Sequence, residues 1–259
     1  MLNPNSISWT FIFSAICCIV GSVLLAGTEV RLGDKMKENK ELDQNKSVLL
    51  AAGLVDDKAK GDDIRMWFDK QKDGKAWIQP VIIDKASGKL TQNKVNLKEY
   101  LKAPDKFPEQ LLVYECLKQD EECFILPIAG QGLWGALYGY LALAKDGSTV
   151  LGISFYSHIE TPGLGAEIVE PWFRNQFIKK KLYTIPGDFS DKSFRGIEVK
   201  KGIKVADLPE KDRPYSVDGI SGATLTGNGV MAILKSYVKQ FSPYLERRVK
   251  ELNLSGGQS

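Results

Sequence analysis

Hydrophobic positions along the chain fall into several distinct patterns. Ile7 to Gly27 (ISWTFIFSAICCIVGSVLLAG) is a run of 21 residues without a charge, enough for a helix to cross a hydrocarbon layer about 30 Å thick. Residues 28–47 are polar and charged, which reads as a stalk or a solvated helix, whereas Ser47 to Val55 (SVLLAAGLV) is a short apolar run that needs a surface to dock on. Short β-rich runs follow at Trp77 to Asp84, Leu137 to Ala144 and Thr149 to Tyr156, with turn signals at Asp73-Gly74, Ser87-Gly88 and Asp146-Gly147. Leu111 to Ile128 (LLVYECLKQDEECFILPI) predicts a hairpin turning at Gln119-Asp120, and residues 95–110, with Pro104 and Pro108, read as a connecting loop. From Asn228 to Leu252 the period changes. Val230, Ile233, Leu234, Tyr237, Val238, Phe241, Tyr244 and Leu245 recur at helical spacing, and Arg247, Arg248 and Lys250 lie toward the end, where the helix dipole favours cations. Strands in the middle and a long helix at the end predict an α+β fold.

Composition narrows the function classes. The 259 residues are 43% apolar and 26% charged, so the chain can bury a sizeable core. A net charge of +3, evenly spread, gives no reason to expect a nucleic-acid partner. One His and four Cys leave little material for a metal cage, and a Ser-His-Asp triad would rest on His158 alone.

The N-terminal run reads as a retained membrane span. A cleaved signal peptide would need a basic start and a shorter apolar stretch, but Met1 to Ser8 holds no Lys or Arg. A lipoprotein signal ending at Cys17 or Cys18 is disfavoured because the apolar run continues past both. After the span come Arg31, Lys35, Lys37, Lys40 and Lys46, a charge pattern that by itself favours a cytoplasmic C-terminal domain. The expected organisation is an N-terminal tail (1–6), a transmembrane helix (7–27), a stalk and α/β region (28–110), a main domain (111–252) and a C-terminal tail (253–259). With a two-residue loop, Cys116 and Cys123 fall opposite one another across the hairpin. They are either a disulfide or two half-buried thiols, and no other soft ligand sits near enough in sequence to make them a metal site.

Three segments carry chemical interest. Gly130-Gln131-Gly132-Leu133-Trp134-Gly135 matches a dinucleotide fingerprint letter for letter, yet the residues after it read as a strand and no acid answers it at the required distance. It is better read as a glycine-rich turn that presents Trp134. His158-Ile159-Glu160-Thr161-Pro162-Gly163-Leu164-Gly165 allows close backbone approach to a ligand, with Thr161 and Leu164 offering one polar and one apolar contact. The strongest signal is Asp218-Gly219-Ile220-Ser221-Gly222-Ala223-Thr224-Leu225-Thr226, just before the long helix. A Ser/Thr helix cap would explain one hydroxyl there. It would not explain why Ser, Gly, Ala and Thr gather behind an acid. Small residues clear space for an attached group, and helix-start amides stabilise a phosphate. On chemical grounds either Thr224 or Thr226 could accept an ester, and an unaided Thr hydroxyl implies a separate transferase.

D-G-I-S-G-A-T resembles the flavinylation motif of the FMN-binding domain found in the C component of the sodium-translocating NADH:quinone reductase and in the G component of the related Rnf complex. The 130–135 and 158–165 segments resemble that family's as well, in the same order, and the residues between the span and the hairpin make the length similar to the sodium-pump component. The resemblance implies a covalent FMN, esterified through its phosphate to Thr224 by a flavin transferase using FAD and Mg²⁺. It implies Trp134 and Leu164 near the isoalloxazine, Glu160 and Thr161 near its polar edge, and Ser221, Gly222 and Ala223 at the phosphate end. It implies no acid–base catalytic residue and no metal site. The main domain (111–252) would then be the FMN-binding domain of a single-pass protein in the bacterial inner membrane. It would relay electrons from the NADH-oxidising subunit toward a membrane flavin and quinone, coupled to sodium export. The family places this domain on the periplasmic side, against the local charge pattern, and in that compartment a Cys116–Cys123 disulfide is favoured. Rival readings are the G component of an Rnf complex, a non-redox anchored structural or binding domain, and a flavin reductase working alone.

Overall fold

The computed structural model describes residues 7–69, 71–72, 75–91, 99–100, 106–118 and 121–256. The chain forms two compact units, residues 1–43 and 44–259. The first consists of most of helix α1 (Ile7–Ala52). This helix is long and apolar enough to cross a membrane, with a window of mean hydropathy 2.3 in which no residue is buried within the chain, as expected of a segment whose apolar side chains lipid would cover.

The second unit is built on a five-stranded antiparallel sheet in the order β3 (Ile78–Asp84), β4 (Gln110–Lys118), β5 (Glu121–Gln131), β6 (Ala136–Ala144), β7 (Val150–Ser157). Sequential neighbours pair throughout, so the sheet is a meander, with short connections from β4 onward and a long one between β3 and β4. β3 comes from the expected 28–110 region, yet pairs with β4 from Ile78↔Cys116 to Asp84↔Gln110. The sheet therefore runs across position 110, because β4 would otherwise expose an unpaired edge. A small antiparallel pair, β1 (Gln71–Lys72) and β2 (Lys75–Ala76), precedes it, as does helix α2 (Gly61–Asp69). The Asp73-Gly74 and Gln119-Asp120 turns, and most of the 95–110 connection, lie outside the described residues.

The sheet is covered on both faces. Phe124, Leu126, Ile128, Leu137, Leu141 and Ile153 face the main core. The opposite face receives the last turns of α1, whose Val48, Leu49, Ala51 and Ala52 are fully buried, which satisfies the expected need of the 47–55 run for a docking surface. There Ser47 Oγ donates to Ser154 Oγ, which donates in turn to the Ser47 carbonyl, each at 2.7 Å. Lys118 Nζ donates to the Ala52 carbonyl at 2.7 Å. The same face carries the pair Cys116↔Cys123, closed as a disulfide with Cα atoms 4.9 Å apart.

The C-terminal segment is helical from residue 224 to 256 and packs on the core face. It comprises α4 (Thr224–Ala232), a π turn (Ile233–Tyr237), a 3₁₀ turn (Val238–Phe241) and α5 (Ser242–Gly256). It starts earlier and ends later than the 228–252 periodicity, because Thr224 to Gly227 carry few large apolar residues and residues 253–256 continue the helix where a tail was expected. It runs antiparallel to β5, with Gly229 against Gln131 at one end and Tyr244 against Phe124 at the other. Short helical turns, including α3 (Pro171–Arg174), and a parallel pair, β8 (Glu198–Lys200) and β9 (Ser216–Asp218), close the core beyond β7.

Candidate functional site

The three chemically interesting segments converge at the end of the sheet where β5 turns into β6. Gly132 N–H donates to the Gly135 carbonyl at 2.7 Å, which makes 132–135 a tight hairpin turn between two strands. No helix opens there, so the dinucleotide reading fails and the turn instead holds Trp134 out, 63% exposed. Residues 158–165 follow β7. Thr161 is exposed, and its carbonyl accepts from the N–H groups of Leu164 and Ala166, each at 3.1 Å. That turn leaves the Leu164 side chain 42% exposed.

The third segment leaves β9 and starts α4. The N-cap residue is Ala223, and no side chain caps the helix. The first intrahelical bond runs from Gly227 N–H to the Ala223 carbonyl at 2.9 Å, so the N–H groups of Thr224, Leu225 and Thr226 precede it and have no acceptor within the helix. Thr224 is half-buried and Ser221 and Gly222 are exposed, whereas Ala223 turns its side chain into the core. Gly222 sits at φ 75° with Leu164 Cδ2 2.8 Å from where its Cβ would be. Glycine is required twice over: for the backbone conformation and to let Leu164 approach. Thr226 is fully buried and gives its hydroxyl to Glu160 Oε2. Its buried hydroxyl is unsuited to accept an ester.

Beside this helix start lies a cleft of about 430 Å³ between the 199–204 and 218–228 segments. Lys200, Lys201 and Lys204 line one wall and Asp218 to Thr224 the other. Asp218 is fully engaged: its N–H donates to Gln176 Oε1 at 2.8 Å, Oδ1 accepts from Val205 N–H at 2.6 Å, and Oδ2 lies 3.7 Å from Lys204 Nζ. Lys200 is bound to Glu198, which also takes Lys235 at 2.8 Å, and these two hydrogen bonds hold the Glu198 carboxyl down at about 2. Burial lowers the pKa of nearby Lys180, against the opposing pull of the Asp218 carboxylate.

An exposed indole, an exposed Leu, an uncapped helix N-terminus and a basic cleft suit a flat apolar ring joined to a phosphate. Residues 132–239 match the family described as FMN-binding domain. Over the whole chain the similarity is to the C component of Na(+)-translocating NADH-quinone reductase, NqrC. The Yersinia pestis protein is 34% identical, with 98% of this chain and 97% of that one aligned. The Pseudomonas aeruginosa protein is 33% identical, over 90% and 92% respectively. The chain belongs to the NqrC family. Two solved NqrC structures share the fold at 24% identity. The Parabacteroides distasonis protein has a TM-score of 0.63, covering 81% of this chain and 95% of that one. The Shewanella oneidensis protein has a TM-score of 0.64, covering 83% and 99%.

Within this NqrC family member, the structure brings Trp134, Leu164, Ser221, Gly222 and Thr224 to one surface. Glu160, expected near the polar edge of the ring, lies beneath the surface. It is 5% exposed, and both carboxylate oxygens are taken by the chain itself, Oε1 by Trp134 N–H at 2.9 Å and Oε2 by the Thr226 hydroxyl. The reason is steric: two glycines open a slot beneath the surface that the carboxylate fills. Ala223 likewise offers backbone alone to the site. Sequence reasoning missed the lysine wall and Leu225, which is 58% exposed beside Thr224. The string Lys200-Lys201-Gly202-Ile203-Lys204 was visible, but a short basic run is ordinarily a solvated face, and only the β8–β9 pairing brings it to the helix start.

Proposed function

We propose that this chain is the FMN-carrying NqrC component of a Na⁺-translocating NADH:quinone reductase, with FMN joined through its phosphate to Thr224 Oγ1. The observation that carries the attachment is the contrast between the two threonines: Thr224 is accessible at the uncapped start of α4, and Thr226 is buried and engaged. The names of its relatives support the complex, and the helix 7–52 supports a single-pass anchor in the bacterial inner membrane. In this reading the soluble part lies on the periplasmic side.

When bound, the flavin supplies reversible uptake and release of electrons. The chain's own task is to bind and orient. Thr224, Leu225 and Thr226 N–H groups and the helix dipole favour the negative phosphodiester, with the cleft lysines adding charge from the other wall. Ser221 and Gly222 leave room at the phosphate end. Trp134 and Leu164 offer apolar surfaces for the ring, so that the ring stays near the outside, where partner subunits can reach it. No acid–base residue is needed for the relay from the NADH-oxidising subunit toward the membrane flavin and quinone that drives sodium export. A flavin transferase using FAD and Mg²⁺ would install the group.

The test is a denaturing gel viewed under ultraviolet light, with the full chain co-produced with such a transferase. Wild type and Thr226→Val are expected to give a fluorescent band and Thr224→Ala none. A band that survives in Thr224→Ala would place the flavin elsewhere. A dark wild-type lane, with the transferase active on another target, would remove the covalent reading.

A further inference from the structure

The 132–135 turn and the first turn of α4 belong to elements far apart in sequence, and the Trp134 side chain, being largely exposed, cannot hold them together by packing. Gly229 of α4 packs on the backbone of Gln131 and Gly132, and one carboxylate adds the hydrogen-bonded link. Glu160 Oε1 accepts from Trp134 N–H at 2.9 Å, and Oε2 accepts from the Thr226 hydroxyl, two residues beyond Thr224 on α4. Its own N–H donates to His158 Nδ1 at 3.3 Å, which fixes the start of the loop that carries Leu164. The slot is shaped for it. A Cβ on Gly132 would lie 2.5 Å from Oε1, and a Cβ on Gly165 would lie 2.5 Å from Oε2 and from Thr226 Oγ1. Both glycines are thereby explained by the carboxylate rather than by backbone conformation, since neither has a positive φ. Both partners of the carboxylate are neutral donors, and the charge sits beside the start of α4, where the helix dipole favours it.

We propose that Glu160 is a positioning residue: its buried carboxylate clasps the 132–135 turn to the first turn of α4, and so holds Trp134 at a fixed place relative to Thr224. The proposal rests on the reading that Thr224 carries the flavin, and it assigns Glu160 to the ring's support instead of to its polar edge. A carboxylate suits the task because it can accept at both oxygens with charge-assisted strength. Gln keeps one acceptor and a donor that the Thr226 hydroxyl can turn to meet, so it preserves the connection in weaker form.

The experiment uses the full chain in detergent and compares wild type with Glu160→Ala, Glu160→Gln and Thr226→Val. The first readout, on protein without flavin, is amide hydrogen exchange of the peptide spanning 130–136. Protection there is expected to fall about tenfold in Glu160→Ala, about 1.4 kcal/mol, and to recover at least in part in Glu160→Gln. Thr226→Val, which keeps the side-chain volume, is expected to lose protection at the start of α4 and to retain the overall fold. The second readout, on flavinylated protein, is the visible circular dichroism of the flavin together with its fluorescence quenching by Trp134. Both are expected to weaken in Glu160→Ala and to return in Glu160→Gln. Unchanged exchange and unchanged flavin spectra in Glu160→Ala would overturn the clasp, and so would spectra that stay constant in Glu160→Gln while the flavin midpoint potential moves, since that marks direct electrostatic contact. A dark wild-type band on the ultraviolet gel would remove the flavin reading alone, and the exchange arm would still decide the clasp.

Discussion

The two ends of strand β5 are built on opposite principles. At the end that starts with Glu121, strong groups pair with one another within the chain. The disulfide ties β4 to β5, Arg248 pairs with Glu115 at 3.0 Å and Glu122 at 2.8 Å, Tyr244 donates to Glu115 at 2.7 Å, and the Tyr244 and Phe124 rings meet edge to face at 5.8 Å. Burial and the Glu115 carboxylate both push the Tyr244 hydroxyl pKa upward, so it stays protonated as a donor. At the other end, where Gln131 leads into the turn, a large indole faces outward, helix-start N–H groups have no acceptor in the helix, and a cleft lies open between two backbone segments. A fold is held by groups that satisfy one another; a ligand is held by groups left unsatisfied until it arrives. One strand, with one helical segment running antiparallel along it, carries both.

The contrast can be broken by substitution and denaturant melts of the full chain. Phe124→Ala, at the closed end and fully buried, is expected to cost about 3–5 kcal/mol. A loss under about 1 kcal/mol would mean that the closed end does not carry the stability assigned to it. Replacing Cys116 and Cys123 together by Ser opens a loop with a sequence separation of 7, and is expected to cost about 2.5 kcal/mol by loop-closure entropy. An unchanged melt under oxidising conditions would show that the thiols are not joined.

Glu198 sharpens the comparison because it lies between the two extremes, bound to Lys200 on the wall of the cleft and to Lys235 beyond it. Its carboxyl is held at about 2, below the usual 4.5. A folded value lower than the unfolded one stabilises the protein fully above about pH 4.5, and that stabilisation is lost as pH falls toward 2. With screening at this partly exposed site, the effect is about 1–2 kcal/mol, and Glu198→Gln is expected to remove that part of the acid dependence. A melt whose acid slope is the same in both proteins would contradict it. The smallest effect on stability is expected at the open end. Thr224→Ala should change the melt of the flavin-free protein by about 0.5 kcal/mol or less, although it is expected to abolish the fluorescent band. A destabilisation of Phe124 size would make Thr224 a structural residue after all.

Much of this was legible in the chain. The apolar run 7–27, the hairpin at 111–128 with its facing cysteines, and the apolar positions of 228–252 each follow a local period, and each stands where the pattern put it. D-G-I-S-G-A-T marked the site because a helix cap accounts for one hydroxyl and not for small residues gathered behind an acid. The hydroxyl cap that such a segment suggests is absent: the N-cap is Ala223, and Thr226 lies deeper in the helix, bonded to Glu160. Glu160 was expected near the polar edge of the ring through the family resemblance alone. Nothing local says that Gly132 and Gly165, distant in sequence, open a slot around it.

The sequence alone determined the long apolar helix, the strand and helix periods and the small-residue motif before α4, because each depends on neighbours within a turn or a strand, where spacing dictates which side chains share a face. Tertiary structure decided which threonine is accessible, where the acid points and that a lysine string forms a cleft wall. Those depend on elements 18 to 66 residues apart in sequence, such as β8 with β9 and Glu160 with Trp134 and Thr226, brought together by β-sheet register and helix packing. A period in the sequence can state which face a residue lies on. It cannot state what will be packed against that face.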